Sequence, residues 1–89
     1  MTSEENQLKD KLNKYLANAK LSFDDIRVLD ERGVKVKDTA LRYYSDAKHF
    51  MEKGELVNAF AALEYAEGWL DAGIVTGAVS VKTKTKHDL

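Results

Sequence analysis

Three stretches of this chain carry apolar side chains at intervals of three and four residues, and no proline interrupts that period anywhere in 89 residues. A helical period of this kind is the strongest single constraint on what the chain can form. In the first stretch Leu8, Leu12, Tyr15, Leu16 and Ala19 fall on one arc of about 100° at 3.6 residues per turn, with Lys9, Asp10, Lys11 and Lys14 off it. Thr2 and Glu5 stand at capping-box spacing, where each side chain satisfies the other's orphan backbone N–H. A first helix is therefore predicted over residues 2–20.

Residues 21–33, LSFDDIRVLDERG, break the pattern: Asp24, Asp25, Asp30 and Glu31 interrupt Phe23, Ile26, Val28 and Leu29. Either a helical turn after Ser22 or an early start of the next helix fits. The period returns with Val36, Ala40, Tyr43, Tyr44, Ala47, Phe50 and Met51, opposite Arg42, Ser45, His49, Glu52 and Lys53. Leu29 and Gly33 extend this stripe backwards, which permits a start near Asp30, at a cost of about 1 kcal/mol relative to alanine if Gly33 is interior, and the start of the second helix is left open. Gly54 supplies a left-handed stop after the basic Lys53. So short a connection to the next apolar stretch favours an antiparallel helical hairpin.

The third helix is predicted from Glu55 to Thr76, stopped by Gly77. Leu56, Ala59, Phe60, Leu63, Ala66, Leu70 and Ile74 form its main stripe, and Asn58, Ala62, Tyr65 and Trp69 a second one. Only a narrow arc with Glu64, Gly68 and Asp71 is polar. A helix apolar over so much of its circumference touches two neighbours at once, which makes it the most enclosed of the three. Beyond Gly77 the chain reads AVSVKTKTKHDL, without a helical stripe, and is expected to fray.

These elements predict an all-α fold: an antiparallel three-helix bundle forming a single domain over residues 1–77, followed by a flexible basic tail over residues 78–89. The expected core is Leu12, Leu16, Tyr43, Ala47, Phe50, Phe60, Leu63 and Leu70. Composition agrees, because 44% apolar and 33% charged residues lie outside the range of disordered chains. The absence of cysteine removes disulfide staples, thiolate metal sites and a cysteine nucleophile together, leaving helix packing to hold a small core.

Fourteen Lys and Arg against fifteen Asp and Glu, with a pI near 6.1, give no global footprint of a nucleic-acid binder. The N-terminal MTSEENQLKD has no apolar segment of the kind a secretory signal requires, and no apolar run approaches the roughly 18 residues of a membrane span. No membrane partner and a cytoplasmic location are expected. The charges are unevenly placed. Residues 55–81 carry Glu55, Glu64, Glu67 and Asp71 and no Lys or Arg, whereas residues 31–53 carry six bases against four acids. The two helices are complementary neighbours, and the acidic strip is also open to a basic partner. In the tail, Lys82, Lys84 and Lys86 are the residues through which a phosphate backbone would be met, with weak and salt-sensitive affinity.

No catalytic constellation is legible. Asp46 and His49 share the polar face of the second helix, but no nucleophile or second histidine accompanies them, and His49 reads as a surface residue. His87 lies in the tail. The acidic cluster at residues 24–31 lacks the alternating oxygens and central glycine of a calcium loop. No HExxH, P-loop or dinucleotide-binding glycine pattern occurs. No catalytic, metal or cofactor-binding residue is assigned, and a chain without enzymatic activity is expected. Glu67 projects between Phe60 and Leu63, where a carboxylate either reaches past the rim of the apolar stripe to a lysine of a neighbouring helix or sits partly buried, and the rim is the expected position. Tyr65 and Trp69, one turn apart, form an aromatic ridge that reads as core against the first helix. Left exposed, the same residue types are those most enriched at interface hot spots.

The segment DAKHFMEKGE at the hairpin corner, the NAFAALEYA stretch, the GWLDAG ending and YLANAK at residues 15–20 resemble the archaeal family known as "domain of unknown function three-five-seven". The resemblance covers most of the chain up to Gly77. It implies a short cytosolic protein forming a three-helix antiparallel bundle, and it brings no substrate, cofactor or catalytic residue to carry over. Two further helical families share the hairpin logic. Nucleases of the HEPN group place a histidine a few residues after an arginine, and Arg42 and His49 are too far apart for that pattern. The MIT domain, a three-helix bundle that binds helices in its grooves, offers an architectural analogy alone.

The leading functional expectation is a non-enzymatic module for protein–protein interaction or self-association, with Asn58, Tyr65, Glu67 and Trp69 as candidate surface residues. The alternative is a nucleotide- or RNA-associated accessory domain acting through the basic second helix and the lysine tail.

Overall fold

A computed structural model describes residues 3–82 of the chain. Three helices, α1 (Ser3–Phe23), α2 (Glu31–Glu52) and α3 (Leu56–Val75), are joined by a two-residue strand β1 (Arg27–Val28) between α1 and α2, and a second strand β2 (Val79–Ser80) follows α3. The bundle is elongated, 46 × 19 × 16 Å. Thr2, the expected capping residue, lies outside the described residues. The first helix continues three residues past its predicted end and buries Ser22 and Phe23.

Local chemistry sets the remaining boundaries. Asp30 caps α2 with extended backbone, its side chain accepting from the N–H of Arg32 at 2.9 Å. Both helix stops use a glycine with positive φ, Gly54 at 76° and Gly77 at 78°. At the first, Glu55 N–H donates to the Phe50 carbonyl and Gly54 N–H to that of Met51; at the second, Ala78 N–H donates to the Gly73 carbonyl and Gly77 N–H to that of Ile74. In each case the paired bonds satisfy carbonyls that the last helical turn leaves open.

The hairpin of α2 and α3 is the main body of the fold, and α1 packs across both. Of the expected core, Leu12, Leu16, Ala47, Leu63 and Leu70 are buried, while Tyr43, Phe50 and Phe60 are only partly buried and stand at its edge. Between α1 and α2, Phe23 and Tyr44 stack in parallel with ring centroids 4.5 Å apart, and the Tyr44 hydroxyl donates to the Leu16 carbonyl at 3.1 Å. Burial raises the pKa of that phenol. Glu67 corrects the sequence reading: it is buried, not at the rim. Its place four residues after Leu63 and three before Leu70 sets it on the packed face of α3.

The region after Gly77 departs from expectation in the same direction. Ala78 and Val79 are each 1% exposed, and β2 pairs antiparallel with β1 in the register Arg27↔Ser80 and Val28↔Val79. Leu29 N–H donates to the Ala78 carbonyl, and the Lys82 N–H to Asp25 at 2.8 Å. The folded unit therefore extends through the strand pair, and the tail does not begin at residue 78. Lys84, Lys86 and His87 lie outside the described residues.

Candidate interaction surface on the third helix

With 3.6 residues per turn, α3 divides cleanly. Its inner face holds Ala59, Leu63, Ala66, Glu67, Leu70 and Gly73, all buried. The outer face is bounded on one flank by Glu64 and Asp71. Val57, Ala61, Gly68, Ala72 and Val75 run along its middle, and Tyr65, Trp69 and Asn58 form the other flank. All ten side-chain positions of this outer face are exposed.

The expectation that Tyr65 and Trp69 pack as core against the first helix is corrected here, since Tyr65 is 62% and Trp69 36% exposed. Ala62 is the one member of the second predicted stripe that is buried. The reason is angular. That stripe lies too far around α3 from Leu63 for α1, which is already seated over both hairpin helices, to reach it.

Tyr65 is nevertheless fixed in place. Its ring stacks on Tyr43 of α2, with centroids 5.4 Å apart and planes inclined by 27°, and the Arg42 guanidinium lies 5.7 Å from the Tyr43 centroid. A cation, a ring and a second ring thus follow one another outwards, each contact adding modestly to stability. Above the small residues of α3 an open apolar groove of about 680 Å³ is lined by Phe60, Ala61, Glu64, Tyr65, Gly68, Trp69 and Ala72. Gly68 is open to solvent on the side where a Cβ would stand. The floor is flat because its side chains are hydrogen or methyl, and the walls are a carboxylate on one side and aromatic rings on the other.

Of the four residues expected at a functional surface, Tyr65 and Trp69 line this groove. Asn58 is exposed one turn beyond them, and Glu67 is buried on the opposite face. The sequence reading missed Ala61, Gly68 and Ala72. Their spacing of seven and four residues was the available signal, a seam of small residues masked by the two larger stripes. His49 is exposed on α2. Among the described residues no cluster of three or more His, Asp or Glu could hold a metal ion, and no helix is long and apolar enough to cross a membrane.

Charged groups elsewhere are tied locally. Lys20 pairs with Asp24, which raises the lysine pKa by hydrogen bonding and charge. Arg27 lies 3.7 Å from Asp25. Arg32 grips Asp30 at 2.6 Å and also donates to the Thr76 carbonyl at 3.1 Å, bridging the start of α2 to the end of α3.

A family model described as protein of unknown function (DUF357) matches residues 9–79. The crystal structure of protein AF1782 from Archaeoglobus fulgidus, of the same family, superposes with a TM-score of 0.76 at 30% sequence identity, covering 90% of this chain and all of that one. No curated protein matches the chain. The match reaches from the first turns of α1 to the buried Val79, taking in the helical bundle and the first residue of its closing strand, and on these grounds the chain belongs to the DUF357 family.

Proposed function

We propose that this protein is a non-enzymatic interaction module that binds another protein through the outer face of α3. One observation carries the reading: Tyr65 and Trp69 stand exposed beside a continuous apolar groove on a helix whose other face already builds the core. Contiguous apolar surface of this kind on a small domain marks a binding site more often than it marks nothing, and tyrosine and tryptophan are the anchors that dominate interface energetics. The Tyr43 stack holds one anchor in position before binding, which lowers the ordering cost of association.

The test compares the intact chain with a Tyr65→Ala/Trp69→Ala variant immobilised for capture from an archaeal extract, alongside sedimentation of both. A protein retained by the parent and lost from the variant, whose thermal transition stays intact, supports the reading. Equal capture by both, with both sedimenting as monomers, removes it.

A further inference from the structure

Two seams of helix-packing period run along α3, and the bundle uses one of them. Leu56, Ala59, Leu63, Ala66, Leu70 and Gly73, spaced three and four residues apart in alternation, are all buried. Two residues further on, about 200° around the helix, Asn58, Ala61, Tyr65, Gly68, Ala72 and Val75 repeat the same spacing, and all six are exposed. Alternation of three and four is the spacing with which one helix packs lengthwise on another.

This outer seam fits itself when a second α3 is laid on it antiparallel. A two-fold axis passing between Ala66 and Glu67 sets Tyr65 opposite Gly68 of the second copy, Ala61 opposite Ala72 and Asn58 opposite Val75. The contact is isologous, so each pair occurs twice. The one large ring of the seam thus meets the one residue without a side chain. Both halves of that fit exist before association: the Tyr65 ring is held by its stack on Tyr43, and nothing lies within 4 Å of the place where a Gly68 Cβ would stand. Laid parallel, the same helices set Tyr65 against Tyr65 and Gly68 against Gly68, a crowded layer beside an empty one, which close packing disfavours. Glu64 and Asp71 each interact within their own chain, and their charge plays no part in this match of shape.

The surface is also large enough. Val57, Tyr65, Trp69 and Val75 are 76, 62, 36 and 86% exposed. With the small residues between them they offer roughly 600 Å² per copy, so a pair buries about 1,200 Å², where the range of specific interfaces begins. We infer that the outer face of α3 is a self-association surface, on which a second copy of this chain lies antiparallel with Tyr65 over Gly68. This rests on the interaction reading above and names the partner protein as the same chain.

The test follows sedimentation and Trp69 emission of the full chain from roughly 1 μM to 1 mM, where an interface of this size associates. A monomer–dimer equilibrium is expected, with emission from Trp69, the one tryptophan in the chain, moving to shorter wavelength as the dimer forms. Gly68→Gln places a side chain where the ring of the second copy has to lie, and should weaken the dimer about tenfold or more while the free chain keeps its fold. Oxidation of a mixture of Ala61→Cys and Ala72→Cys chains, which have no other cysteine, should join unlike chains in preference to like ones. Preference for like chains, or a dimer that Gly68→Gln leaves unchanged, overturns the inference. So does a monomer throughout the range. Capture of a different protein, lost in the Tyr65→Ala/Trp69→Ala variant, then leaves the interaction reading standing, whereas a monomer that captures nothing overturns both.

Discussion

The carbonyl oxygen of Ala78 lies 2.2 Å from the point where a Cβ on Gly33 would stand. This contact explains a glycine inside α2 that intrinsic propensity disfavours, because the chain leaving α3 crosses the second helix too closely for any side chain. Gly73 serves the same crossing from the other side, where a Cβ would stand 2.5 Å from Val36 and 2.8 Å from Val79.

Gly33→Ala and Gly68→Ala should therefore act in opposite directions. Gly68 is interior to α3 and Gly33 stands in the first turn of α2, and helix propensity alone would reward alanine by about 1 kcal/mol at Gly68 and by less at Gly33. At Gly68 nothing stands within 4 Å of the new methyl group, and the melting temperature should rise. At Gly33 the backbone of Ala78 has to move, and the variant should lose about 1–3 kcal/mol. A Gly33→Ala variant as stable as the parent would show that the crossing is looser than the structure has it.

Val79→Ala separates a folded C-terminal strand from a frayed one. With Val79 1% exposed, loss of its two methyl groups should cost about 1–3 kcal/mol in denaturant unfolding. A frayed tail from residue 78 would leave the midpoint unchanged.

The core ranking predicts unequal costs for two substitutions that the sequence placed together. Leu63, 0% exposed at the centre of α3, should cost about 2–5 kcal/mol on truncation to alanine. Phe60 stands at the edge of the core and lines the groove, so Phe60→Ala should cost roughly 1–2 kcal/mol. Urea unfolding of the two variants checks the order, and a larger loss for Phe60 would reverse the assignment.

Asp30 ties a pH dependence to the start of α2. Hydrogen bonding from the Arg32 side chain, aided by backbone N–H groups, holds its carboxyl below the ordinary 3.8. Because the folded value is the lower one, its stabilisation is complete above 3.8 and disappears as pH falls through the folded value. Asp30→Ala should therefore melt below the parent at neutral pH, and the gap should close under stronger acid. Asp30→Asn, which keeps a capping oxygen without the charge, should fall between them at neutral pH. A gap of constant size across the acid range would show that the charge is not involved.

Helix existence and the hairpin corner were legible in the sequence because their signals are local: the period of three and four, and Gly54 after α2. The two strands were not, since Arg27, Val28, Val79 and Ser80 are each too short a run to show alternation and are specified by pairing across the molecule. Glu67 was misplaced because a carboxylate at that angle reads as a rim residue unless the neighbouring helices are known to close over it. For Tyr65 and Trp69 the period alone places an aromatic ridge on a helix without saying whether another helix covers it. The position of α1 decides that, and no local signal encodes it.

The pairing of Val28 with Val79 joins positions about fifty residues apart, whereas the α2–α3 hairpin closes around Gly54 alone. Chain-closure entropy is smaller for the short connection, so the hairpin costs less to close than the strand pair does. Gly33 and Gly73 form the notch between two helices into which this strand pair closes, so the short strand after α3 acts as a fastener for the finished fold.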